Sequence, residues 1–191
     1  NTEMKNKIII ISSPSGAGKT TICKKLLNKI KNIEISVSYT TRPKRKIEKD
    51  SKDYFFTNNI NFLKLKKRNY FIETAKVFDY FYGTPKINIT NAFKRNNHLL
   101  FDIDWQGAKS LRKKLNQSII IDFFILPPNK AELRKRLEKR GRDNKNEIEK
   151  RLSKAYLEIS HYSEYKHVLV NNKIDETVKN IYQIIDKYNI Y

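Results

Sequence analysis

Eight consecutive residues, Ser13-Pro14-Ser15-Gly16-Ala17-Gly18-Lys19-Thr20, have the types and spacing to hold a polyphosphate. Small residues and glycines let successive backbone N–H groups curl around an anion, and the start of a following helix adds partial positive charge. Lys19 is placed to bridge the β- and γ-phosphates of a nucleoside triphosphate, and the Thr20 hydroxyl to hold Mg2+. The pattern usually opens with glycine, and Ser13 stands there instead, so a strained serine is expected if that position needs positive φ. Gly16, Gly18, Lys19 and Thr20 are intact. The same run can also form an ordinary turn with a surface lysine, and what surrounds it decides between the two.

The surroundings favour the phosphate reading. The apolar run Ile8-Ile9-Ile10-Ile11 precedes the loop and a helix-like segment from Thr20 to Ile30 follows it, which is the strand-to-helix setting such a loop needs. From Ile33 to about Thr90 the chain changes to short aromatic, β-rich pieces (Ile35–Val37, Tyr54–Phe56, Tyr70–Val77) between polar turns, as expected of a lobe inserted into an α/β core. Pro85–Asn96 reads as a helix. The strand His98–Ile103 then delivers Asp102 and Asp104 to a strand's C-terminal end, the edge where open α/β sheets bind ligands. Helix 105–115, strand Ile119–Ile125, helices Lys130–Arg140 and Glu147–Ser163, strand His167–Val170 and helix Asp175–Tyr188 follow. Strands alternating with helices predict a parallel sheet covered on both faces.

A second constellation narrows the chemistry. Ser36-Val37-Ser38-Tyr39-Thr40-Thr41-Arg42-Pro43-Lys44-Arg45, then Asp53-Tyr54-Phe55-Phe56, Phe71-Ile72-Glu73-Thr74-Ala75 and Tyr82-Gly83-Thr84, resembles the GMP-binding region of the guanylate kinase family. Asp102-Ile103-Asp104-Trp105-Gln106-Gly107 and the stretch from Arg136 through Gly141 to Leu152 are similar to that family as well, and the likeness runs in order from about Lys7 to Thr177. The resemblance implies an α/β fold of the P-loop NTPase type: a parallel sheet flanked by helices, forming one domain over 1–191 with a GMP-binding lobe at 34–92 and a helical lid at 129–160. It implies Mg2+-dependent transfer of the ATP γ-phosphoryl group to GMP, and also dGMP, giving ADP and GDP in purine nucleotide metabolism. Residues 13–20 (Ser13, Pro14, Ser15, Gly16, Ala17, Gly18, Lys19, Thr20) with Thr21 and Asn171 would bind ATP. Ser38, Glu73, Thr84 and Asp104 would read the base, and Arg42, Arg45, Tyr54 and Tyr82 would hold the GMP phosphate. Lys19, Asp102, Arg136, Arg140 and Arg151 would be catalytic, with Thr20 and Asp102 near the metal. Besides Ser13, three positions depart from the family pattern: Ile47 and Ser51 replace glycines in the turn before Tyr54, and Asn172 replaces an aspartate.

These residues also make sense as chemistry. Two guanidinium forks and two phenol hydroxyls suit a doubly charged monophosphate. Glu73 lies in an apolar stretch, where a carboxylate is costly unless paired. Guanine offers N1–H and N2–H2 side by side, a two-point match for a carboxylate, and its O6 can accept from the Ser38 or Thr84 hydroxyl. Adenine would turn an unprotonated N1 toward Glu73, and unpaired buried polar groups give discrimination on the order of 10⁴. An ordinary salt bridge between Glu73 and a nearby lysine is the alternative.

Composition sets the remaining bounds. The 191 residues suffice for one substantial core, and no apolar stretch is long enough for a bilayer and no leader-like segment stands out, so a cytoplasmic placement is expected. The single cysteine, Cys23, falls in the helix after the loop and reads as a packed thiol. Forty basic against twenty acidic side chains give a net charge of +20, but the lysines are spread along the whole chain and form no stripe, so nucleic acid is not an expected partner. ATP and GMP are the expected small-molecule partners, and oligomeric state is left open. Three rivals stay in view: a ribose-phosphate kinase on the same scaffold, a non-catalytic interaction module of the same fold, and a nucleic-acid binder acting through charge.

Overall fold

The structure, a computed structural model, describes residues 6–139 and 144–190. Its centre is β1 (Ile8–Ser12), every residue of which is buried. β7 (His98–Asp102) and β8 (Ile120–Leu126) pair with it on either side, and β2 (Ile33–Ile35) and β9 (His167–Val170) complete a five-stranded sheet of order β2-β7-β1-β8-β9. All four pairings are parallel. Four consecutive isoleucines fit here because a parallel strand at mid-sheet is covered on both faces. Ile9 and Ile11 point to one side, among Ile22, Leu26, Phe123 and Ile181. Ile8 and Ile10 point to the other, among Leu99, Phe101, Leu111 and Phe124. Each such side chain contributes about 1.5–3 kcal/mol through burial.

The helices supply those covers. α1 (Lys19–Lys29) buries Ile22, Cys23 and Leu26 against one face, beside the C-terminal α7 (Ile174–Ile190). α3 (Ile87–Lys94) and α4 (Trp105–Lys114) cover the other through Ile89, Ala92, Ala108 and Leu111. The alternation read from the sequence therefore gives the expected sheet. Cys23 is packed in the first of these cores, where burial pushes its thiol well above its ordinary range, so it is no nucleophile.

A second sheet, of order β4-β3-β6-β5, stands apart from the first. Its strands are β3 (Tyr39–Thr40), β4 (Phe55–Phe56), β5 (Phe71–Val77) and β6 (Tyr80–Pro85). The piece expected at Ile35–Val37 forms instead as β2, shifted two residues toward the N-terminus, and joins the core sheet: Ile33 packs into the main core and pairs with His98. The sequence reading had no helix between β4 and β5, yet α2 (Asn59–Lys67) forms there, with the Asn58 side chain accepting from the Asn61 N–H as its cap. Its one buried side chain, Phe62, stacks on Phe71 and Phe81 at 4.7 and 5.3 Å between ring centres. β5 and β6 are joined through Phe78 and Asp79, both at positive φ (48° and 67°), the backbone of a tight hairpin turn.

The remaining helices, α5 (Lys130–Lys139) and α6 (Lys145–Ile159), pack on each other through Leu133, Leu137, Leu152 and Ala155. Lys154 of α6 places its ammonium 4.5 Å from the centre of the Phe78 ring, so the hairpin tip of the second sheet already touches this helical pair.

The glycine substitutions have unequal consequences. Neither Ser13 nor Ile47 is at positive φ, so the strain expected at Ser13 does not arise, whereas Ser51 sits at φ 67°. A non-glycine residue there costs about 1–2 kcal/mol, partly offset by the greater chain entropy that glycine loses on folding. Ser51→Gly is expected to stabilise the protein by about 0.5–1 kcal/mol in urea unfolding, and an unchanged or lower midpoint would contradict the strain.

Candidate active site

Between the two sheets lies a cleft of about 410 Å3, and residues 13–20 form one wall of it. The loop leaves β1 at its C-terminal end and enters α1 with Gly16 at φ 83° and Gly18 at φ 87°. Gly18 caps α1 without any side-chain cap, which leaves the first N–H groups of the helix for a ligand. A Cβ on Gly18 would also meet the Asn171 amide at 2.9 Å. Asn171 is buried beneath the loop: its Nδ2 donates to the Ala17 carbonyl at 2.9 Å, and its Oδ1 accepts from the Thr177 hydroxyl at 2.9 Å. Its side chain braces the loop from below, whereas the sequence had suggested direct contact with ATP. Asn172 is exposed beside it.

Lys19 and Asp102 meet across the strand ends at 2.7 Å. Burial alone would lower the Lys19 pKa, but the Asp102 carboxylate outweighs it and holds the ammonium above its ordinary range. Thr20 is exposed at the cleft beside them, and Thr21 follows on the first turn of α1, also exposed. Among the described residues no group of three or more His, Cys, Asp or Glu side chains could by itself hold a metal ion. Thr20 with Asp102 nevertheless fits Mg2+, an ion that takes one or two protein oxygens and completes its shell with phosphates and water.

The opposite wall carries the base-reading candidates. β5 has a register shift between Phe71 and Glu73, and this bulge turns Glu73 into the cleft while Ile72 stays in the main core. Glu73 is only 5% exposed. Burial raises its pKa, while the Thr84 hydroxyl, donating to Oε1 at 2.6 Å, partly opposes the shift. Thr84 thus spends its proton on Glu73 and does not line the cleft, whereas Ser38, 3.5 Å from the Thr84 oxygen, does. Asp104 accepts from the Gly107 N–H at 2.9 Å as the cap of α4, yet still borders the cleft.

Arg42, Tyr54 and Tyr82 gather at one end. The Arg42 guanidinium lies 5.3 Å from the Tyr54 ring centre, and the Tyr54 and Tyr82 rings are 5.9 Å apart. Burial raises the Tyr54 pKa, so its hydroxyl keeps its proton. The sequence reading missed Glu48: it takes Arg42 by two parallel bonds of 2.8 Å, and its Oε1 also accepts from the Arg45 N–H at 2.9 Å. Arg42 gives a further N–H to the Pro43 carbonyl at 3.0 Å, so two of its five donors remain beyond Glu48 and Pro43, and it also hydrogen-bonds Tyr82. The Arg45 side chain is exposed nearby.

The Arg42 guanidinium holds the Glu48 carboxyl down at about 2, against an ordinary 4.5. A carboxylate whose pKa is depressed on folding stabilises the fold above its unfolded value and loses that contribution as pH falls through its folded one. Wild-type stability is therefore expected to drop between about pH 4.5 and 2, with a shallower drop for Glu48→Gln. Urea unfolding at stepped pH measures this, and equal slopes for the two proteins would refute it.

Of the three arginines expected over ATP, Arg136 on α5 reaches the phosphate loop, donating from Nη1 to the Gly16 carbonyl at 3.1 Å and from Nε to Glu132 at 3.3 Å. Arg151 is exposed on α6. Arg140 lies outside the described residues. α6 also sends Lys154, Leu157 and Glu158 to the cleft, none of them anticipated. Glu158 stands beside an apolar stripe of Ile148, Leu152, Ala155 and Ile159, and that was its sequence signal.

A five-stranded parallel sheet, a glycine-bearing loop at the end of its central strand and a second sheet across the cleft define an α/β protein of the phosphate-loop class. The family model for guanylate kinase matches residues 5–188. The chain is 44% identical over 184 residues to the guanylate kinase of Rickettsia bellii (strain RML369-C), covering 96% of this chain and 95% of that one. With the guanylate kinase of Novosphingobium aromaticivorans it shares 46% identity, across 93% and 80% of the two chains. The crystal structure of guanylate kinase from Anaplasma phagocytophilum superposes with a TM-score of 0.81 at 36% identity, over 99% of this chain and 89% of that one. The protein belongs to the guanylate kinase family and is a kinase. No helix among the described residues is long and apolar enough to cross a membrane.

Proposed function

We propose that the protein transfers the γ-phosphoryl group of ATP to GMP, and to dGMP, giving ADP and GDP. The observation that carries this reading is Glu73, a buried carboxylate turned into the cleft by a strand bulge and facing the wall that holds Lys19. Its oxygens match guanine N1–H and N2–H2, while Ser38 keeps a hydroxyl at the cleft for O6 and Asp104 adds a second acceptor.

In this reading the GMP phosphate docks on Arg42 where it meets Tyr82, with Arg45 and the Tyr54 and Tyr82 hydroxyls around it. The triphosphate lies along residues 13–20. An oxygen of the GMP phosphate attacks the γ-phosphorus in line, a new P–O bond forms, and the bond to the β–γ bridging oxygen breaks, with ADP leaving on that electron pair. The attacking oxygen is already largely ionised near neutral pH, since a second phosphate pKa lies near 6, so no general base is required. Lys19 offsets charge that accumulates on the transferring group, and Arg136, Arg140 and Arg151 add to it from the 129–160 lid. Mg2+, held through Thr20 and Asp102, would supply further charge neutralisation. The 34–92 lobe and the lid close over the cleft and exclude water, which would otherwise take the phosphoryl group.

The test is ADP release from Mg-ATP with GMP, dGMP, AMP, CMP or UMP as acceptor. Turnover confined to guanine nucleotides is the expected result. Failure with every monophosphate, with ATP still bound, would overturn it.

A further inference from the structure

Glu158 is a buried carboxylate that the phosphoryl-transfer reading leaves without a task. It lies on the last turn of α6, is 8% exposed, and borders the same cleft as Lys19, Glu73 and Asp104. Its Oε1 is shut off from solvent and has no hydrogen-bond partner among the described residues. A carboxylate oxygen in that condition is a liability to the free protein, because its water has been removed and nothing replaces it. Burial accordingly raises its pKa, and the charges it feels are those of Lys154, Lys19 and Asp104.

The protein offers it no settled donor. The nearby cations are engaged elsewhere: Lys154 over the Phe78 ring and Lys19 on Asp102. No three-residue metal cluster exists among the described residues. Its donor must then come from what enters the cleft. Phosphate groups near neutral pH present acceptors and negative charge, so they would repel it. The guanine N–H groups are matched by Glu73. On a bound purine monophosphate, the hydroxyls of the sugar are the donors still unassigned, and they lie between the base and the phosphate. Glu158 likewise senses both Asp104 on the base side and Lys19 on the phosphate side.

We infer that Glu158 is a specificity-determining residue that accepts a hydrogen bond from a ribose hydroxyl of the acceptor nucleotide. This rests on the reading of the cleft as a guanine nucleotide site. It makes the sugar a third recognised part of the acceptor, beside base and phosphate, and it draws on α6, so the sugar contact forms with the helical pair in place.

The experiment compares wild type, Glu158→Ala and Glu158→Gln with GMP, 2′-deoxy-GMP and 3′-deoxy-GMP at saturating Mg-ATP. Wild type is expected to lose about 10- to 100-fold in kcat/KM with the analogue that lacks the hydroxyl Glu158 holds, the worth of a hydrogen bond to a charged group. Glu158→Ala is expected to fall by a similar factor with GMP, to show no further loss with that analogue, and to unfold at an equal or higher temperature than wild type. Glu158→Gln, a neutral acceptor of the same shape, should fall between the two and serves if the alanine variant does not fold. Sugar discrimination that persists in the variants, or an equal loss with all three acceptors, would overturn the assignment while leaving the guanine reading intact. A wild type that turns over no guanine nucleotide would overturn both.

Discussion

Lys19→Ala is expected to lower turnover of ATP and GMP by on the order of 10³-fold, with GMP binding nearly unchanged. The reason lies in the 2.7 Å pair with Asp102. It keeps the ammonium charged and fixed at the mouth of the loop, so its stabilisation of the transferring phosphoryl group needs no reorganisation at the moment of reaction. Arginine is a poor replacement, because a planar fork cannot fill the place of a compact point charge on a flexible four-carbon stem. In the proposed reading GMP binds on the far wall, through residues that Lys19 does not touch. Steady-state kinetics and calorimetric GMP titration separate the two effects. Near-normal turnover, or a loss confined to GMP affinity, would remove Lys19 from its assigned role.

Glu73→Gln is expected to cost on the order of 10³-fold in kcat/KM with GMP and to gain nothing with AMP large enough to close the gap. The substitution keeps shape and volume, so the fold survives and the free protein unfolds no more easily than wild type. What changes is the donor pattern: the new amide turns an N–H group toward one of the guanine N–H groups, and a buried donor faces a donor. The raised pKa of Glu73 adds a sign. Two guanine N–H groups are best accepted by the ionised form, so kcat/KM with wild type should fall as pH drops through that raised pKa. The glutamine variant should lack this dependence. A variant that discriminates GMP from AMP as well as wild type would sink the base-reading role.

Much of this was legible in the sequence because the residues concerned have one strong reason to be where they are. Ile8–Ile11 can be covered on both sides only at mid-sheet, and the glycines after them mark a turn that other residues resist. Where two forces compete, reading failed. α2 carries Ile60 and Leu63 on its exposed side and buries Phe62 alone, so no helical stripe announces it, and its cap was the better signal. Glu48 sits in a run of lysines, where any carboxylate looks like a solvated counter-charge. The tertiary fold singles it out by bringing Arg42 to it. Asn171 was read as a ligand contact by resemblance, and only the depth of its burial turns it into a brace. Ser13 looked strained on paper, since a sequence pattern records residue types and says nothing of φ.

The pairing of Arg42 with Glu48 bears on how a chain of such large positive charge remains choosy about anions. A bare guanidinium in a field of forty cations would collect chloride, acetate or any acidic side chain that drifted by. Arg42 meets them already paired with a carboxylate, so a singly charged visitor gains little from the donors left on its Tyr82 side. A phosphate carries nearly twice the charge and, in the proposed docking, spreads three acceptor oxygens over those donors and the two tyrosine hydroxyls. In that reading the resident carboxylate sets a valence threshold at the mouth of the proposed acceptor site, tuned by chemistry that lies within the protein itself.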